Sequence, residues 1–279
     1  NKRNQIIILN GILMGCFITL IVSLFLWFKT PVYFQLSNIP MLHIVYEEGF
    51  KINRNFLGFV LSIGASISLG MILGKINYKY INLYIAIYIA LSISLVFTFS
   101  KGSWLTLLIL NLILLWNKIK KSKINFLIIG ITFIPALWLF GKTNIDESIM
   151  RRIMYSTEYS NMRYNYALEA IKITLKHPLL GIGPKSYSKA AASYNYFATI
   201  DPHNAFLWVS AEMGIIATLL FVFILLNIFL QINLIKRFKI NTWAPLYLLF
   251  ITLFIYIWLA GLTFSGKYLW ILAGLSQGI

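Results

Sequence analysis

Few side chains in this sequence are equipped for chemistry. His203 stands in Asp201-Pro202-His203-Asn204, at the start of a long apolar run. An imidazole is the side chain best placed to exchange a proton near neutral pH, and at the end of an apolar helix it is both wet and anchored. Arg163 opens a segment with helical periodicity. A cation there opposes the helix dipole, so helix propensity does not account for it. Beside free backbone N–H groups, a guanidinium makes a seat for phosphate oxygens. Lys101, in the turn Ser100-Lys101-Gly102-Ser103-Trp104, is a second candidate for a phosphate contact, as are Arg54 and, with less structure around them, Arg151 and Arg152. Glu212 lies inside an apolar run, where a carboxylate is expensive and therefore a candidate for catalysis. It follows His203 by nine residues, close to half a turn out of phase, so a direct His–Glu pair needs a helix break near Gly214 or at the helix start.

Each of these residues also has a structural reading. Asn204 suits a helix N-cap. The arginines and Lys101 suit anchors to lipid headgroups. His203 reads equally as an interfacial histidine, and Glu212 as a partner of Ser210 or of another helix. Gly181-Ile182-Gly183-Pro184-Lys185-Ser186 is similar to a Gly-rich phosphate loop. It follows a helix instead of a strand and lacks the third glycine, so it is neither a dinucleotide site nor a Walker loop. Asp201 and His203 offer two metal ligands without a third, and three scattered histidines with the single Cys16 exclude a Cys/His zinc cluster.

The elements that must position these groups are set by composition. Hydrophobic residues make up 59% of the chain and charged residues 11%, against roughly 25% charged in soluble domains. The mean hydropathy is +0.78. Lipid is the solvent for most of this surface. The net charge of +16 comes from clusters between apolar runs, which set topology and meet anionic headgroups, so nucleic acid is not expected as a partner and membrane lipid is.

A spanning helix needs about 20 apolar residues. Such runs lie near 6–28, 55–74, 82–99, 103–117, 124–141, 205–230 and 243–262, with a shorter one at 268–279. The expected fold is an all-α, polytopic transmembrane bundle forming a single domain over 1–279. Basic clusters at Lys2/Arg3, Lys75/Lys79, Lys118–Lys123 and Lys236–Lys239 fall on one side if the helices alternate, which makes that side cytoplasmic. Segments 29–54, 100–102, 142–204 and 263–267 are then outside. Because the chain starts at Asn1 with a first run too long for a signal peptide, further N-terminal sequence is expected to precede it.

Segment 142–204 is long for a chain whose other loops are short, and such loops are usually functional or disordered. Order signals argue for function. Tyr164, Ala167, Leu168, Ile171 and Leu175 form an apolar stripe at helical spacing, opposite Asn165, Glu169, Lys172 and Lys176. Pro178 stops this helix, and Gly181, Gly183 and Pro184 impose a tight turn. The loop therefore holds an amphipathic helix lying on the membrane or over the bundle.

Taken in order, the motifs resemble a known arrangement. They are Asn53-Arg54-Asn55-Phe56-Leu57-Gly58, the Ser100–Leu105 turn, His177-Pro178-Leu179-Leu180-Gly181-Ile182-Gly183-Pro184, His203-Asn204-Ala205-Phe206-Leu207 and Ala211-Glu212-Met213-Gly214. From about Asn53 onward the chain resembles the O-antigen ligase and O-antigen polymerase superfamily of bacterial membrane glycosyltransferases. The resemblance implies a larger helix count than this chain carries. It implies a glycan donor linked to polyprenyl diphosphate at the outer face of the cytoplasmic membrane, a glycan or lipid acceptor, and no metal or nucleotide cofactor. It assigns the base to His203 and a diphosphate ligand to Arg163. Where the family usually has Arg in a Ser-Arg-Gly turn, this chain has Lys101, which keeps the charge and loses the bidentate fork. A polymerase extends another lipid-linked repeat and a ligase caps a terminal lipid or wall anchor, in O-antigen, capsule or wall polysaccharide assembly. The alternative is a flippase for lipid-linked sugars, which predicts polar residues along a midplane path and paired broken helices.

Overall fold

The computed structural model describes residues 2–29, 33–34, 39–40, 44–45, 51–52, 54–116, 130, 164–194, 202–237, 243–260 and 270–276. The chain is an all-α membrane protein. Its helices among these residues are α1 (Lys2–Lys29), α2 (Arg54–Leu73), α3 (Ile81–Phe97), α4 (Lys101–Trp116), α5 (164–176), α6 (Tyr187–Tyr194), α7 (Ala205–Arg237), α8 (Trp243–Ala260) and α9 (270–276). Two minimal antiparallel hairpins fall in the 29–54 segment, where the sequence predicted no element. One pairs β1 (Tyr33–Phe34) with β2 (Ile39–Pro40), and the other pairs β3 (Ile44–Val45) with β4 (Lys51–Ile52). The apolar run expected at 124–141 lies outside the described residues, apart from the helical Gly130.

Hydropathy explains why these segments are helical. In lipid, backbone N–H and C=O groups have no water to bond, so a spanning segment must satisfy them within itself. Arg3–Lys29, Arg54–Leu73 and Ala205–Asn233 are long and apolar enough to cross a membrane. Ile81–Phe97, Lys101–Leu114 and Trp243–Leu259 are shorter apolar helices.

The chain forms two compact units. The first comprises Asn1–Ser148, Gln231–Thr252 and Leu272–Ile279, and the second Ile149–Leu230 and Leu253–Ile271. In the first unit α2 is the core helix, buried without interruption from Leu57 to Met71. Its small residues let four neighbouring helices approach closely. A Cβ on Gly58 would overlap the Ser103 hydroxyl of α4, one on Gly64 would lie 2.8 Å from Cys16 of α1 and Leu91 of α3, and one on Gly70 would overlap Pro245 of α8. Helices in lipid gain little from hydrophobicity toward one another, so this close van der Waals contact is what associates them.

Several polar groups in the same unit are paired internally. Ser66 and Ser68 donate to the carbonyls of Ser62 and Gly64 at 2.8 and 2.9 Å. The Tyr84 hydroxyl donates to Asn10 Oδ1 at 3.1 Å and the Tyr88 hydroxyl to Asn111 Oδ1 at 3.2 Å. Gln5 Nε2 donates to the Leu275 carbonyl at 2.8 Å, tying α1 to α9.

Gly70 tests the packing. Pro245 meets it with backbone atoms, which cannot swing away, so Gly70→Ala is expected to cost about 1–3 kcal/mol by overpacking. Gly11→Ala, at a position with nothing within 4 Å, is the control. Thermal unfolding in detergent checks the pair: a lower midpoint for Gly70→Ala and none for Gly11→Ala is expected.

Candidate functional site

Most of the sequence-predicted site residues that the structure describes lie in the second unit. Helix α5 is described from Tyr164 onward, and Arg163, Arg151 and Arg152 lie outside the described residues. The face that α5 turns to the protein is not the predicted stripe. Tyr166, Glu169, Ala170 and Ile173 are buried, while Tyr164, Ile171 and Leu175 are exposed. The physical reason is size. Ala170 lets α5 close on Tyr187, Ala191 and Ala211, with Ile182, Leu207 and Trp208 around them. Glu169, expected on the outer polar face, is buried and joined to Lys172 by a 2.8 Å ion pair. The Tyr187 hydroxyl donates to the Tyr166 carbonyl at 2.7 Å, and Thr174 donates to the Ser210 hydroxyl at 3.1 Å, joining α5 to α6 and α7.

The apolar run expected as one sixth span is broken. Gly214 has φ 80° and ψ 179° inside α7, a conformation essentially reserved for glycine. In a straight helix Phe206 and Phe221 would lie ~22 Å apart along the axis. Their ring centroids are 5.5 Å apart, so the arm from Ala205 to Met213 folds back along the arm that starts at Ile215. Glu212, expected inside a span, therefore belongs to the shorter arm, ahead of the break.

A break in a helix leaves backbone donors and acceptors that must be paired elsewhere. The turn after α5 pairs them. Ile182 N–H donates to the Ala211 carbonyl at 3.1 Å, Gly183 N–H to the Glu212 carbonyl at 2.8 Å, and Ile215 N–H to the Pro178 carbonyl at 2.8 Å. The chains are too close for side chains at the crossing. A Cβ on Gly181 would overlap the Glu212 backbone, and one on Gly214 would overlap the Leu179 carbonyl. Gly181 at φ 65° and Gly183 at φ 97° also take left-handed conformations. The His177–Pro184 motif and the Ala211–Gly214 motif are thus two halves of one lock.

Glu212 completes it. Its Oε2 accepts from Lys185 N–H at 2.9 Å and its Oε1 from Tyr187 N–H at 3.1 Å. The carboxylate sits at the first turn of α6, where the free N–H groups favour an anion. The Gly181–Ser186 loop is therefore an anion-holding loop whose anion is supplied by the protein itself. The helix between Asn204 and Glu212 is continuous, because the break comes after both.

His203 sits at the other end of this arm, half-buried, with φ 51°. A left-handed conformation is uncommon outside glycine and draws attention to the position. Asn204 is the N-cap. Its Oδ1 accepts from Phe206 and Leu207 N–H at 3.0 and 3.1 Å, and its Nδ2 donates to the Trp258 carbonyl at 3.3 Å. Phe206 packs on Trp258 and Phe254 with centroids 5.7 and 6.4 Å away. His203 is thereby held beside the last turn of α8. The sequence reading missed Trp258 and Phe206, because aromatic residues in apolar runs carry no signal of which partner they meet.

Lys101 and Arg54 belong to the first unit. Lys101 is exposed and opens α4 after a tight turn in which Trp104 Nε1 donates to the Val96 carbonyl at 3.1 Å. Arg54 opens α2. Because Gly58 abuts Ser100 and Ser103, the first turns of α2 and α4 are neighbours, and the two cations share one end of that unit.

A sequence profile described as O-antigen ligase matches residues 86–222. That stretch contains Lys101, Arg163, both halves of the lock, His203 and Glu212, and leaves out Arg54. No curated protein and no solved structure matches the chain.

The lock has a direct test. Gly214→Ala and Gly181→Ala each add backbone strain and a clash with main-chain atoms. Gly183→Ala meets only Ser186 Oγ at 3.6 Å. Limited proteolysis within 178–194 is expected to accelerate strongly for the first two and less for the third. Glu212→Gln is expected to accelerate it as well, since leaving a buried N–H unpaired costs about 1–3 kcal/mol.

Proposed function

The chain belongs to the O-antigen ligase and polymerase superfamily, and from that premise we propose that it transfers a glycan from a polyprenyl diphosphate carrier to an acceptor hydroxyl at the outer face of the bacterial cytoplasmic membrane. Its general activity is the ligase- or polymerase-type processing of membrane glycans, with a lipid-linked glycan and a polysaccharide acceptor as partners. The observation that carries the finer reading is the profile match over 86–222, because it joins Lys101, Arg163, the lock and His203 in one stretch.

In this reading His203 is the base. It takes the proton of the acceptor hydroxyl as that oxygen bonds to the anomeric carbon of the donor sugar. The bond from that carbon to the diphosphate breaks, and the polyprenyl diphosphate leaves with the electron pair. Negative charge grows on the leaving group, so cations fixed toward it stabilise the transition state more than the ground state. Arg163, Lys101 and Arg54 are the cations proposed for it. The chemistry needs no metal. The position of His203 supports the reading, since Asn204 ties it to the last turn of an apolar helix, the level at which a lipid-linked phosphate meets water.

Glu212 enters as a positioning residue. Both its oxygens already accept backbone N–H groups, so its contribution is to hold the lock from which the His203 arm extends. Loop 142–204 is then at the extracytoplasmic face of the membrane, covering the sugar.

The test is transfer from a purified lipid-linked glycan in proteoliposomes, read as acceptor extension and release of polyprenyl diphosphate. His203→Ala is expected to lower the rate ~10²–10⁴-fold with the protease pattern unchanged. Arg163→Ala is expected to weaken donor binding. Full transfer by His203→Ala would remove it as base, and donor translocation without any glycan transfer would favour a flippase.

A further inference from the structure

Helix α5 is apolar on two opposite faces, and only one of them meets protein. Tyr166, Ala170 and Ile173 pack into the second unit. At 100° per residue, Tyr164, Ile171 and Leu175 stand directly opposite them. They are 63%, 42% and 74% exposed, and the exposed surface continues through Leu179 and Leu180 at 62% and 80%. A water-facing helix carries polar residues on its outer face; one apolar on both faces is buried or lies in lipid. Lys172 and Lys176 lie along one flank, as lysines do at a headgroup layer.

What covers this face follows from where the turn is pinned. Leu179 touches Gly214, and the Pro178 carbonyl holds Ile215 N–H. Ile215 begins the mainly apolar arm of α7, outward-facing at Ile215, Ile216, Leu219 and Phe223. That arm is long enough to cross a membrane by itself, since 215–237 at ~1.5 Å per residue matches the ~30 Å hydrocarbon core. Leu179 and Leu180 are therefore continuous with a lipid-facing surface at the point where it starts.

We propose that the outer face of α5 and the Leu179–Leu180 turn are inserted into the outer leaflet of the bilayer, with acyl chains as the occupant. The catalytic segment would then be seated in the membrane surface, and the lock would set its depth. This inference rests on α7 crossing a membrane and is independent of the glycan chemistry.

Nitroxide labels on the full chain in phosphatidylethanolamine/phosphatidylglycerol liposomes test it. Leu175→Cys and Leu180→Cys, each in a Cys16→Ser background, are compared with Lys189→Cys on the exposed side of α6. Collision rates with oxygen and with a nickel chelate are measured at each site. The expected result is an oxygen-to-nickel ratio severalfold higher at residues 175 and 180 than at 189. Equal ratios at all three would place the face in water and overturn the proposal. Spin–spin broadening at 175 or 180 that disappears on dilution with unlabelled protein would show a second copy on this face and would also overturn it.

Discussion

Everything in the second unit depends on how the broken helix α7 recovers its backbone hydrogen bonds. The break at Gly214 removes partners that an unbroken helix provides at no cost in chain ordering. In a membrane protein such groups have little water to fall back on, and each one left unpaired is expensive. The turn from Pro178 to Gly183 supplies two N–H groups and one carbonyl, in register, to the groups around the break. That requirement explains the glycines better than flexibility does. Two backbones can exchange hydrogen bonds at this distance only if neither carries a Cβ at the crossing, as at Gly181 and Gly214. The fold-back of the Ala205–Met213 arm, and with it the place of His203, follows from the same break.

The first unit solves a related problem by a different route. Its helices are unbroken at the points of contact, so the backbone is satisfied internally and association falls to side chains. Small residues on α2 bring α1, α3, α4 and α8 into close contact at successive levels. Serine and threonine hydroxyls bond back to the preceding turn, which lets a helix carry polar atoms through a low-dielectric interior. A rigid scaffold of this kind is what holds the starts of α2 and α4, with Arg54 and Lys101, at one end. In the proposed reading, cations held this way serve the leaving group because they need not reorganise as charge develops.

Much of this was legible in the sequence, and what was not has identifiable causes. Hydropathy locates α1 to α4 and α8 to within a few residues, and the start of α7, because desolvation acts on composition summed over a window. Asn204 as N-cap and Pro178 as helix terminator follow from local chemistry and are found as expected. Gly214 was legible only as one place where a break could fall, conditional on a His203–Glu212 pair. A summed hydropathy does not see direction, and a single glycine in an apolar run is equally compatible with a straight helix. Which face of α5 meets protein was not legible for a similar reason. Tyr166, Ala170 and Ile173 make a weaker stripe than Tyr164, Leu168, Ile171 and Leu175, and in an aqueous setting the stronger stripe faces inward. Near lipid the stronger stripe is free to face out. Arg163 precedes the first described residue of α5, so its role rests on the sequence.

The Gly-rich loop shows how one buried charge redirects the chemistry of a site. By itself, a Gly181–Ser186 turn leading into a helix offers backbone N–H groups to a phosphate. Here Lys185 and Tyr187 N–H are already given to the Glu212 carboxylate. A diphosphate brought to the same groups would have to displace that carboxylate or sit beside it, against its charge. The loop therefore acts as an internal ion cradle that fastens α6 to α7. The same pairing relieves Glu212 of the cost that made it look catalytic. A carboxylate taking two N–H bonds at a helix start is compensated where it stands, so its burial needs no catalytic role to explain it.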